Sequence, residues 1–267
     1  MESRIHMTPL DPNVFALADN PNTYTPLADG EERIEDARFV LYIGRHGSVA
    51  QRFRFDASEL DAARGKIHRL LLDRGRQSCA WEIGSAARPP NLSALLLDRG
   101  LVWDEPDQIQ TGMVLDHDPG PAPPPEITVR VARSRDDLAA SEGIANRCFG
   151  AAEPAPEQID ALFQSYDPSR ARRYLAMLDG QPVATGSATF AEHGVVLNAG
   201  STLPEWRGRG AYRALVRARY DDAVAAGTPV LVTQAGALSR PILERMGFRA
   251  VCRIEALIDR FGRRDGS

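Results

Sequence analysis

The sequence predicts a mixed α/β fold built in layers and arranged as two units. Three observations carry that reading. Strand-like and helix-like segments alternate through the second half of the 267-residue chain. A proline-rich stretch, Asp118-Pro119-Gly120-Pro121-Ala122-Pro123-Pro124-Pro125, reads as a stiff, extended linker near the middle. A loop rich in glycine and arginine, Arg207-Gly208-Arg209-Gly210, stands between an apolar strand and a long helical pattern.

The second half can be justified element by element. Ile127-Thr128-Val129-Arg130-Val131 alternates as a strand does. Ser134 with Asp137 resembles a capping box and starts a helix to about Cys148. Pro156 opens a second helix to about Tyr166. Residues 173–178 form a strand, Asp179-Gly180 a hairpin turn, and 182–190 its partner. A strand follows at about 195–203, then the loop and a helix over 211–226. Strand 230–234, helix 239–246 and strand 248–257 close the order, with Gly247 suited to a helix C-terminus.

The first half echoes this in weaker form. A strand is expected around Phe39–Ile43, a helix over Ala57–Arg74, and a strand at Trp81–Gly84. The short helix Pro89–Gly100 ends in Gly100-Leu101, much as the later one ends in Gly247-Phe248. No counterpart of the Arg207–Gly210 loop appears, because Arg64-Gly65-Lys66 lies inside a helical stretch. The expected division is 1–117, a linker over 118–126, and 127–267, each unit with its own sheet.

Composition sets limits. With 43% apolar and 25% charged residues the chain is ordinary globular material. A net charge of −4 gives no reason to expect nucleic acid. Cys79, Cys148 and Cys252 lack metal-ligand or redox spacing and read as reduced thiols of a cytoplasmic protein. His6, His46, His68, His117 and His193 form no cluster, so no metal is expected. No apolar run approaches the ~18 residues of a membrane span, and residues 1–6 lack a signal-peptide core.

The loop itself points to an anion. Glycine lets the backbone approach a ligand closely. The first turn of a helix leaves N–H groups unpaired, and its dipole favours negative charge. Together they make a phosphate or pyrophosphate site. Gly208-Arg209-Gly210-Ala211-Tyr212-Arg213 lacks the third glycine of a dinucleotide fingerprint, and no Gly-Lys-Ser/Thr follows for a nucleotide-triphosphate loop. The stretch resembles instead the pyrophosphate loop of the GNAT (GCN5-related) N-acetyltransferases, Gln/Arg-x-x-Gly-x-Gly/Ala. Arg207, Gly210 and Tyr212 occupy the three defined positions, and Tyr212 departs from the pattern by replacing a small residue. The closing Ser239–Phe248 helix and the order of elements over about 127–260 resemble the same family.

That resemblance implies a mixed-sheet GNAT fold, with a degenerate first unit that has lost its cofactor loop. It implies acetyl-CoA as co-substrate. Gly200, Ser201, Thr202 and Leu203 would pair with the pantetheine arm. Arg207, Gly208, Arg209, Gly210, Ala211, Tyr212 and Arg213 would hold the pyrophosphate. The family's frequent glutamate base falls on Val196 and its frequent tyrosine acid on Leu243, so both usual catalytic groups are missing. Side-chain alternation puts Asn198 on the face of Val196, where it can orient an amine or a water. Ser239 lies one turn before Leu243 and is the candidate donor to the thiolate, or else a helix cap. Glu192 and His193 are candidate proton relays, and Glu205 reads as a turn residue. Without a strong base the expected chemistry relies on positioning.

The expected activity is acetyl transfer to a primary amine of a small molecule or an amino terminus. The alternative is a non-catalytic acyl-CoA-binding or interaction protein. The acceptor should meet residues 142–166, with the first half as a further candidate wall; Glu142, Glu153, Glu157 and Asp160 in that stretch make either an acidic mouth or a solvated face. No nucleic-acid or membrane partner is expected, and a homodimer is left open.

Overall fold

The structure, a computed structural model, describes residues 9–45, 47–106, 108–121 and 123–262. The readings made of residues 1–6, His46 and Ala122 lie outside the described residues.

The first half runs α1 (Pro12–Asp19), α2 (Pro21–Tyr24), β1 (Glu32–Glu35), β2 (Val40–Ile43), β3 (Ser48–Gln51), α3 (Leu60–Leu72), β4 (Ser78–Ile83), α4 (Leu92–Leu97), β5 (Val102–Trp103) and β6 (Ile109–Leu115). The second runs β7 (Thr128–Val131), α5 (Arg135–Phe149), α6 (Pro156–Gln164), β8 (Ala171–Leu178), β9 (Gln181–Ala191), β10 (Gly194–Thr202), α7 (Ala211–Ala225), β11 (Leu231–Ala235), α8 (Arg240–Glu244) and β12 (Arg249–Arg260). Local chemistry explains the boundaries. Ser134 accepts from the Asp137 N–H at 3.1 Å and Asp137 returns a bond to Ser134 N–H, so α5 starts where the capping pair stands. Asp179 and Gly180 both take positive φ, as the tight β8–β9 hairpin requires.

The halves do not form separate sheets. Among the described residues all twelve strands join one sheet in the order β1-β2-β3-β4-β12-β6-β11-β10-β9-β8-β7, with β5 paired to β12. The reason is an exchange of last strands. β6, from the first half, lies between β11 and β12 and pairs antiparallel with both. The far end of β12, residues 255–260, pairs with β4 of the first half. The cores record the same exchange. Met113 and Leu115 of β6 are buried in the second-half core beside Leu197, Leu215 and Leu243. Leu257 of β12 is buried among Trp81, Ile67 and Leu96 of the first.

Polar bonds secure the exchanged end. Asp259, 1% exposed, accepts from Arg64 Nε at 2.8 Å and Nη2 at 2.7 Å, and lies 2.7 Å from His68 Nε2. Burial alone would raise its pKa, but the bonds from Arg64 and His68 override it and hold the carboxyl below its ordinary value.

Helices cover both faces of the sheet. α3, α4, α7 and α8 pack on one side, α1 and α5 on the other. The 118–125 stretch is docked rather than free. Arg217 Nη1 donates to Asp118 and to the Gly120 carbonyl, and Pro124 lies against Gly210. No helix among the described residues is long and apolar enough to cross a membrane.

Candidate active site

The site is built where two parallel strands part. β10 and β11 pair at Val195–Leu231, Val196–Val232 and Leu197–Thr233, and no further. β10 runs on to Thr202, bulged between Asn198 and Ser201, with Ala199 at a φ of 51°. A bulge turns a strand away from its neighbour. The edge of residues 198–202 that would face β11 is therefore left open, while Ser201 and Thr202 pair with β9 on the other side. Thr202 Oγ1 is buried at this edge with no hydrogen-bond partner among the described residues.

The loop follows at once. Gly208 and Gly210 have φ of 78° and 96°, a region costly for other residues, and they fold the chain back onto the start of α7. Gly210 is the residue before the helix and brings no side chain to cap it. The N–H groups of the first α7 turn consequently have no intrahelical acceptor, and the helix dipole adds partial positive charge. Arg207 Nε donates to the Thr202 carbonyl at 3.1 Å, and the Arg209 guanidinium stacks 4.8 Å above the Trp206 ring. Arg213 is exposed. None of these three arginines is in an ion pair among the described residues, so their charge is available to an anion. Tyr212 turns its ring against Gly200, where a Cβ would come within 2.8 Å of it. Its bulk is thus accommodated by the strand, and the loop N–H groups stay open.

On the α1 side of the sheet, a cavity of about 340 Å³ opens beside Val196 and Asn198. Gln234 of β11 and Thr189 of β9 complete its second-half wall. Gln234 Nε2 is buried with no partner among the described residues. The opposite wall comes from the first half: the segment after α2, with Glu31, then Tyr42 and Glu82.

The predicted residues fall as follows. Gly200–Leu203 and Arg207–Arg213 come together around the open edge and helix start. Asn198 lines the cavity. Val196 is buried against Leu17 and Val232, and Leu243 is 1% exposed in the α7-side core. Ser239 does not line the cavity, and its Oγ donates backwards to the Gly236 carbonyl at 3.3 Å without capping α8. Glu192 and His193 sit in the turn before β10, six and five residues from Asn198 and about 17–20 Å away along the strand. Of the acidic residues near α5 and α6, two are in ion pairs, Glu142 with Arg173 and Asp160 with Arg135. Glu205 pairs with Arg147.

No protein-family model and no curated protein matches the sequence. Solved structures do. A GCN5-related N-acetyltransferase from Kribbella flavida superposes with a TM-score of 0.69 at 18% identity, covering 93% of this chain and 96% of its own. A tandem GNAT protein from the clavulanic acid biosynthesis pathway gives 0.62 at 15% identity, covering 96% and 90%. The corresponding figures for a GCN5-related N-acetyltransferase from Sphaerobacter thermophilus are 0.59, 19%, 84% and 80%. The chain has the GNAT fold.

Within that fold, the sequence reading admitted the first half as an acceptor wall but named none of the residues that form it, Glu31, Tyr42 and Glu82. Glu82 is the instructive case. Cys79, Trp81 and Ile83 of β4 enter the first-half core, so Glu82 faces the other side of the sheet. An acidic residue in the middle of an apolar strand was the available signal. What was not visible is that β4 ends up facing the second half.

Proposed function

We propose that the chain is an acetyltransferase that moves an acetyl group from acetyl-CoA to a primary amine of a small molecule or an amino terminus. The observation that carries this reading is the parting of β10 from β11 beside an uncapped α7 and an unpaired Arg207–Arg213 loop. Bound acetyl-CoA would supply the activated acetyl thioester. The loop N–H groups and Arg207, Arg209 and Arg213 would hold its pyrophosphate through charge-assisted bonds. The open edge at Gly200–Leu203, with the Thr202 hydroxyl, would hold the pantetheine amides. Asn198 and Gln234 would orient the amine from the cavity side. We further read residues 1–117 as a degenerate unit whose part is structural support and a cavity wall, and 127–267 as the acetyl-CoA-binding unit.

The rival reading, a non-catalytic acyl-CoA-binding protein, rests on the apolar Val196 and Leu243. A panel of primary amines incubated with acetyl-CoA, following free thiol release, separates the two. Turnover dependent on one class of amine supports the enzyme. Tight coenzyme A binding with no turnover across the panel supports the rival.

A further inference from the structure

The cavity beside Asn198 has walls from both halves. Its second-half wall, Val196, Asn198, Gln234 and Thr189, holds no carboxylate. The first-half wall holds two, Glu31 and Glu82. Glu31 accepts from the Ala28 N–H at 2.8 Å and from the Tyr42 hydroxyl, so its oxygens are engaged. Glu82 accepts one bond, from Gln51 Nε2, on a single oxygen. Gln51 is itself 1% exposed, and its amide nitrogen is the donor because a carboxylate only accepts. Arg170, at the cavity's second-half margin, is turned to the Leu27 carbonyl and to Asp167, and forms no ion pair with Glu82 among the described residues. A carboxylate is thus built into a partly enclosed cavity with one oxygen outside any hydrogen bond and no ion-pair partner among the described residues.

We propose that this cavity binds a small cationic primary amine and that Glu82, supplied by the first half, accepts the proton of its ammonium group. This rests on the acetyl-transfer reading of the β10–α7 site. The volume, about 340 Å³, lies at the small end of ligand pockets and fits a compact amine rather than a folded protein segment. The balance is simple. RNH₃⁺ gives one proton to the Glu82 carboxylate, leaving RNH₂ and a carboxylic acid. As the N–C bond forms and the C–S bond breaks, the second N–H proton goes to the departing thiolate. The Glu82 proton is then released to water.

The surroundings suit this task. Burial pushes the Glu82 carboxyl up, the donated bond from Gln51 opposes it, and the charge of Asp104 raises it further, to about 7. A base poised there is half ionised near neutral pH, where general bases work well. The other titratable neighbours are Cys79 on the same strand, whose thiol burial holds neutral, and Tyr42, held neutral by burial and by Glu31. Asp19 at the end of α1 spends its carboxylate on the Ser85 and Ala86 N–H groups. The first half thus supplies what Val196 cannot.

Three measurements on the full chain test this. Calorimetry with coenzyme A should give the same affinity for wild type and Glu82→Gln within twofold. Loss of binding in wild type would overturn the acetyl-transfer reading itself. Carboxyl-carbon NMR of protein labelled at glutamate, with Glu82 assigned as the signal missing from Glu82→Gln, should titrate near 7. It should shift on adding primary alkylamines, with or without turnover. A Glu82 signal titrating near the ordinary 4 to 5, or unmoved by every amine tried, overturns the proposal while leaving the coenzyme site intact. With the best amine, Glu82→Gln should lower kcat about 100-fold or more and remove the acidic limb of the kcat/KM profile. An unchanged rate and profile overturns it equally.

Discussion

Each half places a parallel strand pair beside a loop and a helix: β3/β4 with α3, and β10/β11 with α7. The two are built to opposite ends. In the first half the strands close again beyond their pairing, through an Arg54–Arg88 bridge and a bond from Arg88 N–H to the Phe53 carbonyl. Phe53 stacks on Trp81 at 4.9 Å and fills the space under the loop. The helix start is occupied by the chain's own carboxylates, since Asp56 and Glu59 both stand there and Glu59 Oε2 accepts from the Asp56 N–H at 3.1 Å. In the second half the strands stay apart, the helix start is uncapped, and three arginines take the place of the two acids. The difference teaches that the shared topology supplies only the opening. Whether it becomes an anion site depends on who satisfies the first helical turn, and acids there exclude a pyrophosphate by charge alone.

The largest effect should come from the device that lets the first half lean on the second. Asp259→Asn leaves Arg64 and His68 without their anion and should cost about 3–5 kcal/mol of stability, read by denaturant unfolding. Hydrogen exchange in α3 and β4 should rise with it. Because the native pKa of Asp259 is depressed, its contribution is present above the ordinary carboxylate range and is lost as pH falls below about 4. An equal loss of stability at all pH values would break the assignment.

Glu82 is the contrasting carboxylate. Its raised pKa means that wild type loses stability as pH climbs from the unfolded value towards 7. Glu82→Gln should therefore be the more stable protein at pH 8, by up to about 3 kcal/mol, and should show no gain at pH 4. A variant less stable than wild type at both pH values would remove this distinction between the two acids.

Smaller changes sharpen the loop comparison. Gly208→Asp meets no atom within 4 Å and puts a carboxylate beside the loop, so coenzyme A affinity should fall roughly 10- to 100-fold; its positive φ adds a strain of about 1–2 kcal/mol, so its Tm is measured alongside. Gly210→Asp should abolish binding, but it also presses on Pro124, 3.0 Å from the new Cβ, so its Tm must be measured alongside. Gly200→Ala drives a methyl into the Tyr212 ring and should cost about 1–3 kcal/mol, recovered in large part by adding Tyr212→Ala. The smallest effect is in the first half. Asp56→Ala removes a side chain that makes no cap bond, so it should cost less than about 0.5 kcal/mol and create no coenzyme A binding, because Phe53 and Trp81 still fill the space.

Much of this was readable from residue order. Ser134, Asp179-Gly180 and Gly247 mark their boundaries through caps and turns, and α5, the β8–β9 hairpin and α8 lie where those signals stand. The loop was legible because its glycines and arginines are contiguous. The exchange of β6 and β12 was not. Ile109–Leu115 gives a short apolar run whose partner is chosen by tertiary contacts, and nothing local says that it crosses into the other half. Nor was α1, whose Val14, Leu17 and Ala18 cover Val196 on the far face of the sheet. The cavity was hidden for the same reason. Glu82 and Asn198 lie more than a hundred residues apart and line one wall each only after the strands have been exchanged.

The proposed function requires that the second half of this chain hold an acyl-CoA and that the first half not do so. Calorimetric titration of the full chain with coenzyme A tests it most directly. One site per chain is expected, weakened in Gly208→Asp and unchanged in Asp56→Ala. No site at all, two sites, or one site indifferent to Gly208→Asp would contradict it.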